Sequence, residues 1–143
     1  MDETARRAIE WDASQLTPRF YSHVDQGRYR EAGEMVLPDG TWHRLEGAAT
    51  GPDAVAKALA QRDATRTSVH MIANLLVTVL DPVSVEINAT ITAYHATPPA
   101  GGKGPATDAH PSGMFRAVEV WRKTAQGWKI ADKKNLPLMR FAH

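Results

Sequence analysis

Two side chains in this 143-residue chain are of the types that move a proton to and from carbon. His70 lies in "TSVHMI", between small polar residues and a long apolar run, and Asp25 lies in "FYSHVDQGRY", a segment with helical spacing. Histidine is the side chain whose ordinary pKa falls near neutrality, so it can both take and return a proton. A carboxylate bonded to one ring nitrogen fixes the tautomer and stabilises the imidazolium that forms when the other nitrogen accepts a proton. With Asp25 in that role, burial and the charge partner pull the histidine pKa in opposite directions. The reaction this suits is proton removal from carbon, followed by loss of water or halide, double-bond migration or ring closure, with no metal or organic cofactor required. The same two residues also fit a strand histidine bonded only to backbone, or a buried ion pair kept as architecture. Spacing alone leaves these readings open.

Four further residues are candidates for contact with a substrate. Tyr21 precedes Asp25 by one helical turn and shares its face, so its hydroxyl could polarise a carbonyl, or its ring could simply pack in the core. Trp42 suits a pocket wall or sheet packing. His95 ends a long strand with the parity of its apolar face and could donate to a ligand, or sit at the solvent boundary. Arg116, on the next strand, could bind an anionic group, or lie exposed. His23 is two positions from Asp25 and points elsewhere on the helix. His43, His110 and His143 have no metal-ligand spacing.

The length and the 43% hydrophobic content suit one domain with a real core, spanning residues 1–143. The 17 basic and 16 acidic side chains nearly cancel and form no block that would neutralise phosphates, so nucleic acid is not an expected partner. With no cysteine there is no disulfide framework, thiolate nucleophile or Cys-ligated metal. The opening "MDETARRAIEWD" is charged and unlike a signal peptide, and no apolar run reaches the ~18 residues a membrane span needs. A soluble cytoplasmic protein is expected.

Periodicity then assigns the elements that must position these groups. Residues 3 to 15 carry a loose helical stripe. "LTPRFY" opens a second helix, with Thr17 as cap and Pro18 at the first helical position, and Gly27 stops it. "RYREAGEMVL" repeats the helical pattern until "PDG" turns the chain, "TWHRL" reads as a short strand, and "GPDAVAKALAQR" as a further helix. From Ser68 the β-branched content rises. "SVHMIANLLVTVL" and "VSVEINATITAYHA" are strands, the second alternating apolar and polar residues. "TPPAGGKGPATDAHPSG", residues 97–113, is a long Pro/Gly-rich loop expected to be mobile, and "MFRAVEVWRKTAQGWKIADKK" is a hairpin turning at "AQG". Helices first and a mostly antiparallel sheet afterwards predict an α+β cone whose interior takes a small apolar or aromatic ligand. Its shape would depend on Tyr21, Trp42, Met71, Met114 and the long loop.

The order helix, "FYSHVDQGRY", "LPDGTWHRLEG", "GPDAVAKAL", "TSVHMIAN", long strand, "AYH", "VEVWRKTAQGWKI" resembles the SnoaL-like branch of the nuclear-transport-factor-like superfamily over nearly the whole chain. The branch includes polyketide cyclases, scytalone dehydratase and hexachlorocyclohexane dehydrochlorinase. In the dehydratase and dehydrochlorinase members an Asp on the first long helix pairs with a His at the start of a sheet strand, and Asp25 and His70 fall on those positions. Trp42 matches a pocket aromatic of the dehydrochlorinase. The resemblance to ketosteroid isomerases is weaker, because Arg44 and Leu45 stand where their carboxylate base is expected and Glu46 is displaced. It implies a cofactor-independent lyase, cyclase or isomerase for a small, largely apolar, polyketide-, steroid- or aromatic-like substrate. The alternative is a noncatalytic ligand-binding or structural subunit of the same fold. Resemblance and an apolar outer sheet face together imply a homodimer.

Overall fold

The computed structural model describes every residue except Asp63, Asp108 and His143, the last of which was among the histidines weighed above. Among the described residues, helices α1 (Glu3–Ser14), α2 (Leu16–Asp25) and α3 (Tyr29–Glu34) precede strands β1 (Val36–Arg44) and β2 (Gly47–Thr50). Helix α4 (Pro52–Ala60) then leads into β3 (Thr67–Asp81), β4 (Ser84–Ala96), β5 (His110–Thr124) and β6 (Gly127–Arg140). The strands form one curved sheet in the order β2-β1-β6-β5-β4-β3. Its ladders are antiparallel except where β1 runs parallel to β6. The α+β architecture is the one the element order implied.

Local chemistry departs from the sequence reading at several points. Gln15, not Thr17, bounds α2, so Pro18 is the third helical residue, still among those whose N–H needs no intrahelical partner. Thr17 instead turns inward and donates to Glu119. "PDG" is not a turn. It lies within β1, where the register against β6 shifts between Val36 and Thr41, and Pro38 needs no ladder donor there. A Cβ on Gly40 would fall 2.3 Å from the Ile130 carbonyl oxygen, so only glycine allows that approach of β1 to β6. The long loop is shorter than expected, because β5 begins at His110 and pairs Pro111 with Tyr94 across a register shift. β6 continues through "NLPLMR".

In β3, Ser68, His70 and Ile72 face inward, but beyond them the inward set is Leu75, Val77 and Val79. This change of parity requires an extra residue. Asn74 supplies it at φ 52°, the left-handed region that asparagine tolerates better than most residues, and the register shifts between Ala73 and Leu76. The inner face of the sheet closes on α2 and α4 through Phe20, Val24, Val55, Leu59, Ile87, Ile91, Trp121 and Ile130. Burying each such side chain stabilises the fold by roughly 1.5–3 kcal/mol.

An ion pair lies inside this core. Glu119 and Lys133 face each other across β5 and β6, both fully buried, with Lys133 Nζ donating to Glu119 Oε2 at 2.5 Å. The other carboxylate oxygen accepts from Thr17 Oγ1 at 2.5 Å and Trp121 Nε1 at 2.9 Å. The outer face keeps Val69, Met71, Leu76 and Leu80 exposed. Met71 therefore does not shape the interior, because its parity is opposite to that of His70.

Candidate functional site

Helix α2 carries Tyr21 and Asp25 on one face, and the inward parity at the start of β3 presents Ser68 and His70 to it. His70 Nδ1 lies 2.6 Å from Asp25 Oδ1, and the His70 backbone N–H donates to Oδ2 at 2.8 Å. Ser68 Oγ adds a long contact to Oδ1 at 3.4 Å. A carboxylate held by both the main chain and the ring of one residue cannot rotate without losing a charge-assisted bond. Because Asp25 accepts, the proton of a neutral His70 ring sits on Nδ1 and leaves Nε2 as the basic nitrogen. Among the described residues Nε2 has no hydrogen-bond partner.

His70 lines a cavity of about 930 Å³, within the range of small-molecule sites. Tyr21 lines it too, its ring centroid 4.6 Å from that of His70 at 35°. On Tyr21 the Lys133 ammonium lies 4.7 Å from the ring centroid, which joins the buried ion pair to the cavity wall through one aromatic ring. Burial raises the Tyr21 phenol above its ordinary pKa, with Lys133 opposing, so the hydroxyl stays a proton donor at neutral pH. Trp42 packs edge-on against Phe20 and lines the cavity beside Arg44, whose guanidinium carbon is 5.1 Å from the indole centroid.

His95 also lines the cavity, at the end of β4 opposite Ser68. Desolvation, then the charges of Arg66 and Arg62, lower its pKa from 6.5 to about 4, so it is neutral at physiological pH and both donates and accepts. Arg116 is elsewhere. Its side chain is exposed on the outer face of β5 and it is not among the cavity-lining residues, so the structure does not bring it to the other candidates. Among the described residues no group of three or more His, Cys, Asp or Glu could hold a metal ion.

The cavity also holds groups that sequence reasoning missed as binding residues. Arg44, Arg62, Arg66 and Arg140 reach it from the end of β1, the α4–β3 connection and the end of β6. Only the two in one connection could have been grouped from the sequence. Asn135 joins them from β6. Four buried side-chain atoms have no hydrogen-bond partner among the described residues: Tyr21 Oη, Trp42 Nε1, Arg44 Nε and Asn135 Oδ1. All four belong to residues lining this cavity. The atoms themselves are shielded behind the cavity wall, with Tyr21 Oη turned toward the Lys133 ammonium, so a ligand reaches them only if the wall side chains shift.

Among the described residues no helix is long and apolar enough to cross a membrane. No curated protein matches the sequence significantly. Solved structures do resemble the fold. A proposed scytalone dehydratase from Novosphingobium aromaticivorans superposes with a TM-score of 0.80 at 14% identity, covering 99% of this chain and 92% of that one. An NTF2-like protein with a cystatin-like fold from the same organism gives 0.75 at 17% identity, covering 96% and 87%. A protein from Catenulispora acidiphila in complex with S-DNPA gives 0.73 at 16% identity, covering 90% and 94%. At these identities the likeness establishes the fold alone. The sequence itself matches the model of the SnoaL-like domain over residues 5–134, and the chain therefore belongs to the SnoaL-like family.

Proposed function

We propose that the protein is a cofactor-independent lyase, cyclase or isomerase in which His70 removes a proton from carbon and Asp25 orients it. The observation that carries this is the 2.6 Å contact between His70 Nδ1 and Asp25 at the wall of a ligand-sized cavity, with Nε2 left without a partner among the described residues. Nε2 takes the proton from a carbon next to a carbonyl. Asp25 stabilises the imidazolium, and the carbanion then expels a hydroxyl, shifts its double bond or closes a ring onto a second carbonyl, the imidazolium returning its proton to the departing hydroxyl, the distal carbon or the new alkoxide respectively. The neutral His95 at the cavity wall can donate to the carbonyl oxygen on which charge develops. The Catenulispora acidiphila complex with S-DNPA supports a ligand-binding role for this fold.

The test is to incubate the protein with a panel of hydroxylated and keto ring compounds in heavy water and follow deuterium uptake, water loss or isomerisation by mass spectrometry. Turnover by the parent that disappears in His70→Ala supports the reading. Equal turnover by folded His70→Ala ends it, and saturable ligand binding with no exchange or conversion in any compound favours the noncatalytic binder. The exposed apolar outer face of β3 fits a homodimer contact, to be checked by light scattering at micromolar concentration, where a monomer would count against it.

A further inference from the structure

The sequence pointed to an apolar pocket, but the charge on this one is lopsided. Four arginines line it, while the one carboxylate among the described lining residues besides them is that of Glu46. Glu46 lies 3.9 Å from Arg44, at the outer limit of an ion pair, with its own side chain 73% exposed. Among the described residues Arg62, Arg66 and Arg140 make no hydrogen bond or close ion pair, and Arg66 and Arg140 are largely exposed. Arg62 is the most telling of these. It is half-buried just beyond the C-terminal end of α4, and desolvation pulls its guanidinium below the ordinary arginine value, with Tyr21, Tyr29 and Asp25 only partly opposing. A cation partly removed from water with only a distant counter-charge, Asp25, is costly, and the cost is recovered when an anion arrives beside it.

The neighbours agree with this. Arg66 and Arg62 help keep His95 neutral, so the site holds fixed positive charge at the arginines and a neutral donor and acceptor beside them. Arg44 Nε and Trp42 Nε1, both buried donors without partners, lie on adjacent side chains. The opposite requirement, an apolar surface for a ring system, is met by Phe115, Met114 and Leu138.

We infer that the ligand of this cavity is an anion, a ring compound bearing a carboxylate that pairs with the Arg62 guanidinium while its ring system lies against Phe115. This rests on the reading of the cavity as the substrate site, and it narrows the substrate from any small apolar molecule to an acidic one. Arginine suits the task because its planar fork meets a carboxylate through two parallel bonds.

The experiment compares two test ligands of nearly the same shape, 1-naphthoate and 1-naphthamide, by titration calorimetry at pH 7.5 and low salt. The acid is expected to bind about 10- to 100-fold more tightly, the range for a hydrogen bond to a charged group. Arg62→Gln should bring the two affinities together, and Arg62→Lys, which keeps the charge without the fork, should retain part of the preference. Matching circular dichroism and melting temperatures establish that the variants fold. Failure of naphthoate to outbind the amide, including failure of either to bind, overturns the inference, as does a preference that survives Arg62→Gln. His70→Ala is the separating control. It should keep the preference for the acid whether or not turnover depends on His70, so the ligand class and the proposed catalysis fail independently.

Discussion

The chain contains two inward-facing acid–base pairs of nearly equal length, and they are finished in different ways. His70 and Asp25 meet at 2.6 Å, Lys133 and Glu119 at 2.5 Å. In the second pair both side chains are fully buried and both carboxylate oxygens are engaged, by Thr17, Trp121 and Lys133. Burial lowers the Lys133 pKa, Glu119 and Tyr21 raise it, and the net result is a rise, so the ammonium is locked in its charged form. In the first pair the His70 side chain is 3% exposed and Asp25 keeps 19%, and the ring retains a nitrogen without a partner among the described residues at the cavity wall. Short contact distance therefore does not by itself mark a pair as catalytic. The two differ in whether proton-accepting capacity remains and whether it faces a space a ligand can enter, and on that difference the proposed role of His70 rests.

The largest effect that would break this contrast concerns the first pair. His70→Ala should lower turnover of an identified substrate by about 10²–10⁴-fold, the usual worth of a positioned general base. Asp25→Asn keeps the shape but lets the ring choose the wrong tautomer, so it should also reduce kcat strongly. Stability should also fall, because the His70 side chain is only 3% exposed and its backbone N–H is bonded to Asp25, but by less than for a pair buried on both sides. A melting curve displaced as far as the one expected for Glu119 below would recast Asp25 and His70 as architecture.

The second pair should respond the opposite way. Glu119→Ala leaves Lys133 charged and buried without compensation, a loss of about 3–5 kcal/mol. For a chain of this size that corresponds to a melting temperature lower by roughly 10–20 °C. Exchanging both partners together, Glu119→Leu with Lys133→Met, should recover only the part due to the uncompensated charge, because the Thr17 hydroxyl and the Trp121 N–H lose their acceptor at about 1–3 kcal/mol each. The double variant also removes the cation beside the Tyr21 ring, so any effect on turnover would measure coupling between the two pairs through that ring. Equal destabilisation by the single and double variants would show that packing and the orphaned donors of Thr17 and Trp121, and not uncompensated charge, dominate.

The two pairs were unequally legible in the sequence, and the reason is physical. Asp25 and His70 lie on elements with clear periodicity, a helix and the start of a strand, so types and placement could be read before any contact was known. Glu119 lies in "VEVWRK", where alternation alone does not say which set faces in, and nothing local marks Lys133 as its register partner. The "PDG" of β1 carried a turn signal that pairing with β6 overrode, because Gly40 allowed a backbone approach no other residue permits. The arginines were hidden for a related reason. Arg44, Arg62 and Arg140 come from segments far apart in the chain, and only closure of the sheet brings them to one cavity.

His95 sharpens the comparison at smaller amplitude. Its folded-state pKa of about 4 lies below the ordinary 6.5, so between these values the unfolded chain binds the proton that the folded chain refuses. Stability from this group is therefore present near neutral pH and is lost as the pH falls from about 6.5 toward about 4. The charges that act on it are Arg66, Arg62 and His70 from one side of the balance and Asp25 from the other. Imidazole NMR should find His95 neutral at pH 5.5, and saturation with naphthoate should raise its pKa by screening the arginines. A titration near 6.5 in the free protein would contradict the positive field assigned to the cavity.

The smallest expected effect tests the boundary of the site. Arg116 and Arg62 have the same chemistry, and Arg116 was the one whose position along a strand suggested an anion contact. In the sheet Arg116 pairs with Thr90 and Leu136 on the outward row, while its neighbour Phe115 turns in to the cavity. A one-residue step along a strand reverses the face, so the guanidinium is left in solvent while Arg62, on a connection with no strand parity to read, enters the cavity. Arg116→Gln should shift stability by no more than about 0.5 kcal/mol, as exposed substitutions usually do. The affinity for naphthoate should be unchanged. If calorimetry instead showed Arg116→Gln weakening naphthoate as much as Arg62→Gln, the preference for an anion would come from diffuse positive charge over the whole molecule. It would then decay for both variants alike as salt is raised, instead of persisting, as a partly buried pair does, into concentrations that screen exposed charges.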